Sequence, residues 1–287
     1  MALFGSRFTK PGPGVSKDGP QKTAFFRFFD IVGNKFFDLI KINMLYFFSI
    51  IIFCLPLIFI VTVLFSENDP AAAFIYPQNF FIVFACSLPI AFTGPFTAGF
   101  IYLLRNFVRS EHVFLFSDYK DNVKNNFKQS TLATLINVTA FLLLIYTIVF
   151  YWYNSAKNPI YLIFMSISLI IFVSFIFMNY YIYLMIVTFD IKLLRIYKNA
   201  YIFSVIGLGR NILVSILLIL IIVLHLSFLW LSLFPVPFFS ISFSGLIINF
   251  AVWPKIKKIM IDPNQNEDNQ RKDDNVERLF VDKGKER

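Results

Sequence analysis

Long uninterrupted runs of apolar residues alternate along this chain with short segments that hold nearly all of its charge. Crossing the hydrocarbon core of a bilayer takes about 20 apolar residues in a helix. Met44–Phe65, Phe80–Leu104, Leu132–Tyr153 and Ile212–Phe234 meet that length without a charge, and Ile160–Phe189 exceeds it enough to tilt. A sixth run, Pro237–Trp253, is shorter and interrupted by Ser240, Ser242, Ser244 and Gly245. Were it not to cross, the charged tail behind it would change sides. The pattern predicts an all-α integral membrane protein with six transmembrane helices.

Between the runs, three segments carry helical periodicity. Arg27, Asp30, Asn34, Asp38 and Lys41 recur every three or four residues, opposite Phe25, Phe29, Val32, Phe36 and Ile40. An aromatic face beside basic residues suits the headgroup boundary. A second helix is predicted from Ser117 as N-cap, with Asp118 and Asp121 early, and Lys124 and Lys128 late, matching the helix dipole. Its apolar stripe is Phe116, Tyr119, Val123 and Phe127. A third runs from Asp190, with Lys192, Arg195 and Asn199 opposite Leu193, Leu194, Tyr197 and Tyr201, and breaks at Gly207 and Gly209 before Arg210. The runs Lys124-Asn125-Asn126-Phe127 and Lys198-Asn199-Ala200-Tyr201 hint at duplication of a two-helix unit. These amphipathic helices either anchor the membrane surface or dock a partner.

Composition agrees with the pattern. Of 287 residues, 57% are hydrophobic and 15% charged, where soluble domains run at about 45–50% and about 25%. A soluble enzyme or nucleic-acid-binding domain is excluded, although the net charge is +9. Location explains that charge. Lys plus Arg number 7 in residues 1–43, 5 in 105–131, 4 in 190–211 and 9 after 253, while Lys157 alone falls in the alternate connections. Positive loops stay inside. Both termini are therefore expected in the cytoplasm of a multi-pass cell-membrane protein. Residues 1–22 read as a disordered N-terminal segment, 23–258 as the membrane domain and 259–287 as a charged cytoplasmic tail with a short helix near Val276–Val281. No cleavable signal peptide is expected, since the first apolar run begins so far into the chain.

The spans contain no Asp, Glu, Lys or Arg in their interiors, and an intramembrane ionisable group is what usually marks an ion or proton path. His225 is read as bonding a neighbouring helix, and Asn137, Thr139, Ser166, Ser168, Ser174 and Asn179 as links between helices. Cys54 and Cys86 lack metal or redox spacing, and His112 and His225 lie in different segments. No HExxH, GxSxG or phosphate-loop pattern occurs. The expectation is a non-enzyme with no cofactor and no metal.

The second span is the unusual one. Pro89, Gly94, Pro95 and Gly99 fall within eleven residues, so its helix must kink or unwind. Broken spans either pack closely on neighbours or form substrate sites. Residues 88–130 carry Leu88-Pro89, Gly94-Pro95 and Ala98, then Arg105, Arg109 and Glu111, then Phe116, Asp118, Lys124, Asn126 and Phe127. This arrangement resembles the YesL family of bacterial membrane proteins, and residues 198–214 resemble its second region. The resemblance implies six helices and no established reaction. It also implies partners: the family is often encoded beside carbohydrate ABC importers and sensor kinases in Gram-positive bacteria.

Two functional expectations follow. The first is an accessory subunit of a carbohydrate import or sensing system, with the bilayer around it and no nucleic acid. It would dock importer subunits or a sensor kinase through Arg105, Arg109, Glu111, Asp118, Lys124, Phe127 and Lys198. The second is a self-sufficient transporter or channel for an uncharged solute through the kinked second span. A lipid-directed membrane enzyme would need Asp118, Asp121 and His112 to converge.

Overall fold

A computed structural model describes residues 23–65, 77–228 and 234–262, all helical or connecting, with no strand among them. The predicted terminal segment 1–22, and the tail beyond residue 262 with its short helix, lie outside the described residues. The helices are α1 (Ala24–Asn34), α2 (Phe36–Phe65), α3 (Pro77–Ser87), α4 (Thr93–Val108), α5 (Leu115–Asn125), α6 (Phe127–Asn154), α7 (Ile160–Ile186), α8 (Leu193–Ile206), α9 (Leu208–Ser227) and α10 (Ile241–Ile256). A 3₁₀ turn, Leu88–Phe92, joins α3 to α4, and π turns extend α10 at both ends over Val236–Ser240 and Lys257–Ile261. The chain divides at Phe36/Phe37 into two compact units.

Six stretches are long and apolar enough to cross a membrane: Phe36–Leu64, Asn79–Val108, Phe127–Asn154, Ile160–Ile186, Leu208–Ser227 and Val236–Ile261. Most begin or end several residues beyond the charge-free runs. Helices continue past the last apolar residue because backbone bonding does not need apolar side chains. The sixth stretch is one continuous helical rod of 26 residues, longer than its apolar run.

Two predicted starts move. The first periodic segment is two helices, with Asp38 and Lys41 belonging to α2, where they pair at 3.8 Å. α5 opens two residues before Ser117. Its free N–H groups are met by Asp118, whose Oδ2 accepts from the Phe114 N–H at 2.9 Å. α8 begins at Leu193 rather than Asp190, and only Gly207 interrupts it, since Gly209 is already inside α9.

A repeating unit emerges: a short helix, one junction residue, an outbound span, then a return span. The junction residues are Lys35 (φ −113°, ψ 17°), Asn126 (φ −100°, ψ 9°) and Gly207 (φ −84°, ψ 4°). Each donates its N–H to the carbonyl four residues back, at 2.9, 3.1 and 2.8 Å. The bend therefore costs no backbone hydrogen bond. Four and seven residues past each junction stand Leu39 and Ile42, Ser130 and Ala133, Asn211 and Val214, none more than 2% exposed. The run Lys198–Tyr201 precedes its junction by several residues, whereas Lys124–Phe127 straddles Asn126. The two short runs are thus not structurally equivalent, and the repeat is carried by backbone and burial instead.

Within the larger unit the return helices α4, α7 and α10 pack on one another. Their shared core holds Leu103, Leu104, Ile182, Met185 and Leu246, all essentially inaccessible. Each return helix also meets the outbound helix of another repeat, by close packing or by hydrogen bonds. A Cβ on Gly94 of α4 would collide with Thr134 Oγ1 and the Ser130 backbone of α6. Tyr180 and Tyr181 of α7 bond Ser215 and Asn211 of α9 at 2.7 and 2.9 Å. Asn43 of α2 donates to the Val236 carbonyl at 2.8 Å and accepts from the Ser242 N–H at 2.7 Å, tying the third return span to the first outbound one. Lipid tails are as apolar as Leu, so close contacts and polar links, rather than hydrophobic burial, hold such helices together.

Candidate functional site

Pro89 sits in the 3₁₀ turn, and Gly94, Pro95 and Gly99 are all buried in α4. Gly94 admits α6, as described, while a Cβ on Gly99 would press on the Tyr119 backbone oxygen and Val123 of α5. The break is therefore occupied by neighbouring helices. A groove of about 420 Å³ touches it only at Ile90 and is otherwise formed by Leu57, Asn137, Phe141, Phe175 and Tyr180. It is lined by α2, the 3₁₀ turn, α6 and α7 and has no charged lining residue.

Arg105, near the end of α4, is 7% exposed and is held from within. Its Nε and Nη2 both donate to Asn106 Oδ1, at 3.1 and 3.0 Å. Nη1 donates to the Val187 carbonyl at 2.6 Å and to Thr188 Oγ1 at 3.2 Å. Its guanidinium carbon lies 4.6 Å from the Tyr102 ring centroid. Val187 caps α7, whose last carbonyls carry the negative end of the helix dipole. Arg105 thus neutralises a helix terminus inside the protein. Four of its five N–H groups are engaged in this way, and the side chain named from sequence for docking is buried.

Arg109 and Glu111 form a surface pair. Ser110 has φ +58°, the Ser110 N–H donates to the Phe107 carbonyl at 3.1 Å, and the Glu111 N–H donates to the Asn106 carbonyl at 2.9 Å. This is a Schellman closure with serine where glycine is usual. It turns the chain so that Glu111 Oε1 meets Arg109 Nη2 at 2.6 Å, while Arg109 lies 5.1 Å from the Trp253 ring centroid of α10. Of the remaining predicted docking residues, Asp118 caps α5, and Lys124, Phe127 and Lys198 are exposed.

α5 and α8 offer different outer faces. On α5, Ser117, Lys120, Asp121 and Lys124 are exposed together, a polar face of mixed charge. On α8, Arg195 and Lys198 are followed by exposed Tyr201, Ile202, Val205 and Ile206. On the inward face of α8, Tyr197 Oη donates to Asn137 Oδ1 at 2.7 Å, and burial pushes both the Tyr119 and Tyr197 phenols up. Tyr119 Oη has no hydrogen-bond partner.

The links between helices differ from those expected. Thr139, Ser166, Ser168, Ser174 and Asn179 bond carbonyls four residues back in their own helices. Only Asn137 among the named residues reaches another helix. Tyrosines form the cross-links instead: Tyr46 with Thr97 at 2.9 Å, Tyr183 with Thr134 at 2.7 Å, and the pairs above. Their one sequence signal is a phenol placed where phenylalanine would fill space equally well. His225 does link helices. Its Nδ1 faces the Ile221 carbonyl at 2.7 Å and so carries the proton, leaving Nε2 to accept from Ser240 at 2.8 Å. Among the described residues no three His, Cys, Asp or Glu side chains are grouped to hold a metal ion, and Asp118, Asp121 and His112 form no shared site with a bond between them.

No curated protein matches this chain, and no solved structure does. Residues 74–148 match the family described as Protein of unknown function, DUF624. That stretch runs through the broken span, Arg105, the Ser110 closure, α5 and most of α6. Over residues 74–148, then, the chain is similar to the domain of YesL-like proteins, an uncharacterised family.

Proposed function

We propose that this is a non-enzymatic accessory protein of the bacterial cell membrane, with both termini cytoplasmic, that docks a partner on the outer face of α5. The observation carrying this reading is that face itself. Lys120, Asp121 and Lys124 are exposed with no ion-pair partner among the described residues, while Arg105 and Asp118 are engaged internally. Mixed charges on an ordered helix give register and partner choice more than raw affinity. Phe116 and Phe127, 68% and 46% exposed, flank it as apolar anchors. A carbohydrate importer subunit or sensor kinase as the partner rests on the resemblance alone.

Co-purification from native membranes tests the proposal. The wild-type chain is expected to bring a membrane partner with it, and Lys120→Glu with Lys124→Glu is expected to release that partner while the chain still folds. A protein that always emerges alone, with carbohydrate import and sensing intact after its deletion, overturns it. The alternative of a solute path through the broken span draws support from the groove at Ile90 and Asn137. Uptake by the purified protein in liposomes would favour that alternative.

A further inference from the structure

The outer surface of α8 has a chemistry that α5 lacks. α8 contains no acidic residue; Lys192, Arg195 and Lys198 follow at three-residue spacing, are exposed, and form no ion pair among the described residues. The nearest acid in sequence, exposed Asp190, precedes them. Beyond Lys198 the exposed face of α8 turns apolar: Tyr201 57%, Val205 54% and Ile206 50% exposed, with Leu208 50% at the start of α9; cations return only past this stretch, where Arg210 and Lys255 donate to the Ala251 and Ile206 carbonyls. A helix whose accessible face changes from cationic to apolar at a tyrosine matches the boundary between lipid phosphates and acyl chains.

Directly beside that apolar half lies a groove of about 340 Å³ between α7, α8 and α9, walled by Ile170, Val173, Phe177, Val205 and Leu208. The hydroxyl protons of its two lining serines are already committed. Ser174 donates to the Ile170 carbonyl at 2.9 Å and Ser204 to the Tyr201 carbonyl at 2.7 Å, each within its own helix. At 1.5 Å per residue, Ser204 and Val205 stand about 9–10 Å along α8 from Lys198. From there the α7 wall continues away from the basic end, from Phe177 toward Leu169.

We propose that this groove holds one acyl chain of an anionic phospholipid whose phosphate is bound by Arg195 and Lys198. The charge order selects a lipid over an acidic protein segment, because the apolar surface begins where the α8 cations end and leads into a mostly apolar groove whose serine protons are already donated. The site lies on α8, so it stands or falls separately from partner docking on α5.

Native mass spectrometry of the full chain in detergent, with phosphatidylglycerol or phosphatidylcholine of identical chains, tests it. Phosphatidylglycerol adducts are expected to dominate and to weaken as salt is raised. Arg195→Gln with Lys198→Gln should weaken them about thirtyfold, roughly fivefold for each cation removed. Val205→Trp, which fills the groove, should weaken them as well. Lys120→Gln with Lys124→Gln removes the same charge from α5 and should leave them unchanged. Equal binding of the two lipids, or equal loss from the α5 pair, overturns the proposal. So does intact phosphatidylglycerol binding in the α8 variant together with loss of a co-purifying protein, which would make this face a protein-docking surface.

Discussion

Arg105 shows how much of one residue's role is decided by what lies across the bundle from it. In the chain it belongs to an Arg-x-x-x-Arg run at the end of an apolar span, the pattern of a membrane-edge cation. In the fold the C-terminal turn of α7 arrives beside it with unbonded carbonyls, and the guanidinium becomes a cap. Arg105→Leu would leave the Val187 carbonyl and Asn106 Oδ1 without that donor in a buried setting. Hydrogen bonds to a charged group contribute about 1.5–3 kcal/mol each, so a loss of about 2–4 kcal/mol is expected. Thermal unfolding of the detergent-solubilised variant measures it. Arg109, which is exposed and paired with Glu111 on the surface, should tolerate the same change with a far smaller shift.

Helices were legible in the chain wherever length and apolarity alone determine them, which covers all six spans. Their junctions were less so. The bend at Lys35 or Asn126 needs one residue with ψ near zero and keeps the i→i−4 bond, so the apolar periodicity runs across it without a gap. Gly207 alone carries a visible mark. The broken span was legible from its prolines and glycines, but what fills the break was not, because Ser130 and Thr134 belong to a helix some forty residues on. Gly94→Ala is expected to cost about 1–3 kcal/mol through overpacking against α6. Gly209→Ala meets nothing within 4 Å and should be neutral or stabilising by up to about 1 kcal/mol. Thermal shifts of the two variants, side by side, separate a packing role for Gly94 from a general intolerance of helical glycine replacement. A loss of transport activity in a Gly94 variant would carry no information until that difference is known.

For the whole molecule, the charge distribution makes a topological statement that can be checked in cells. Lys157 lies between α6 and α7, and Lys124 on α5, at opposite ends of α6. With Cys54 and Cys86 replaced by alanine, Lys157→Cys should react with a membrane-impermeant maleimide in intact cells. Lys124→Cys should react only after permeabilisation. The reverse result would invert the bundle and remove α5 from the cytoplasm. The Lys41–Asp38 and Arg109–Glu111 pairs are both at least partly exposed and so contribute little to stability.

The succession of three repeats in the chain has one further consequence. Their junction residues share one backbone conformation, yet their decoration differs: the buried arginine, the serine-closed turn and the mixed-charge helix all follow the first return span, and the unbalanced cations of α8 follow the second. Repeats that share a junction but carry different side chains offer a ligand a single address, so the chain would recruit one copy of a protein where three identical repeats would recruit three.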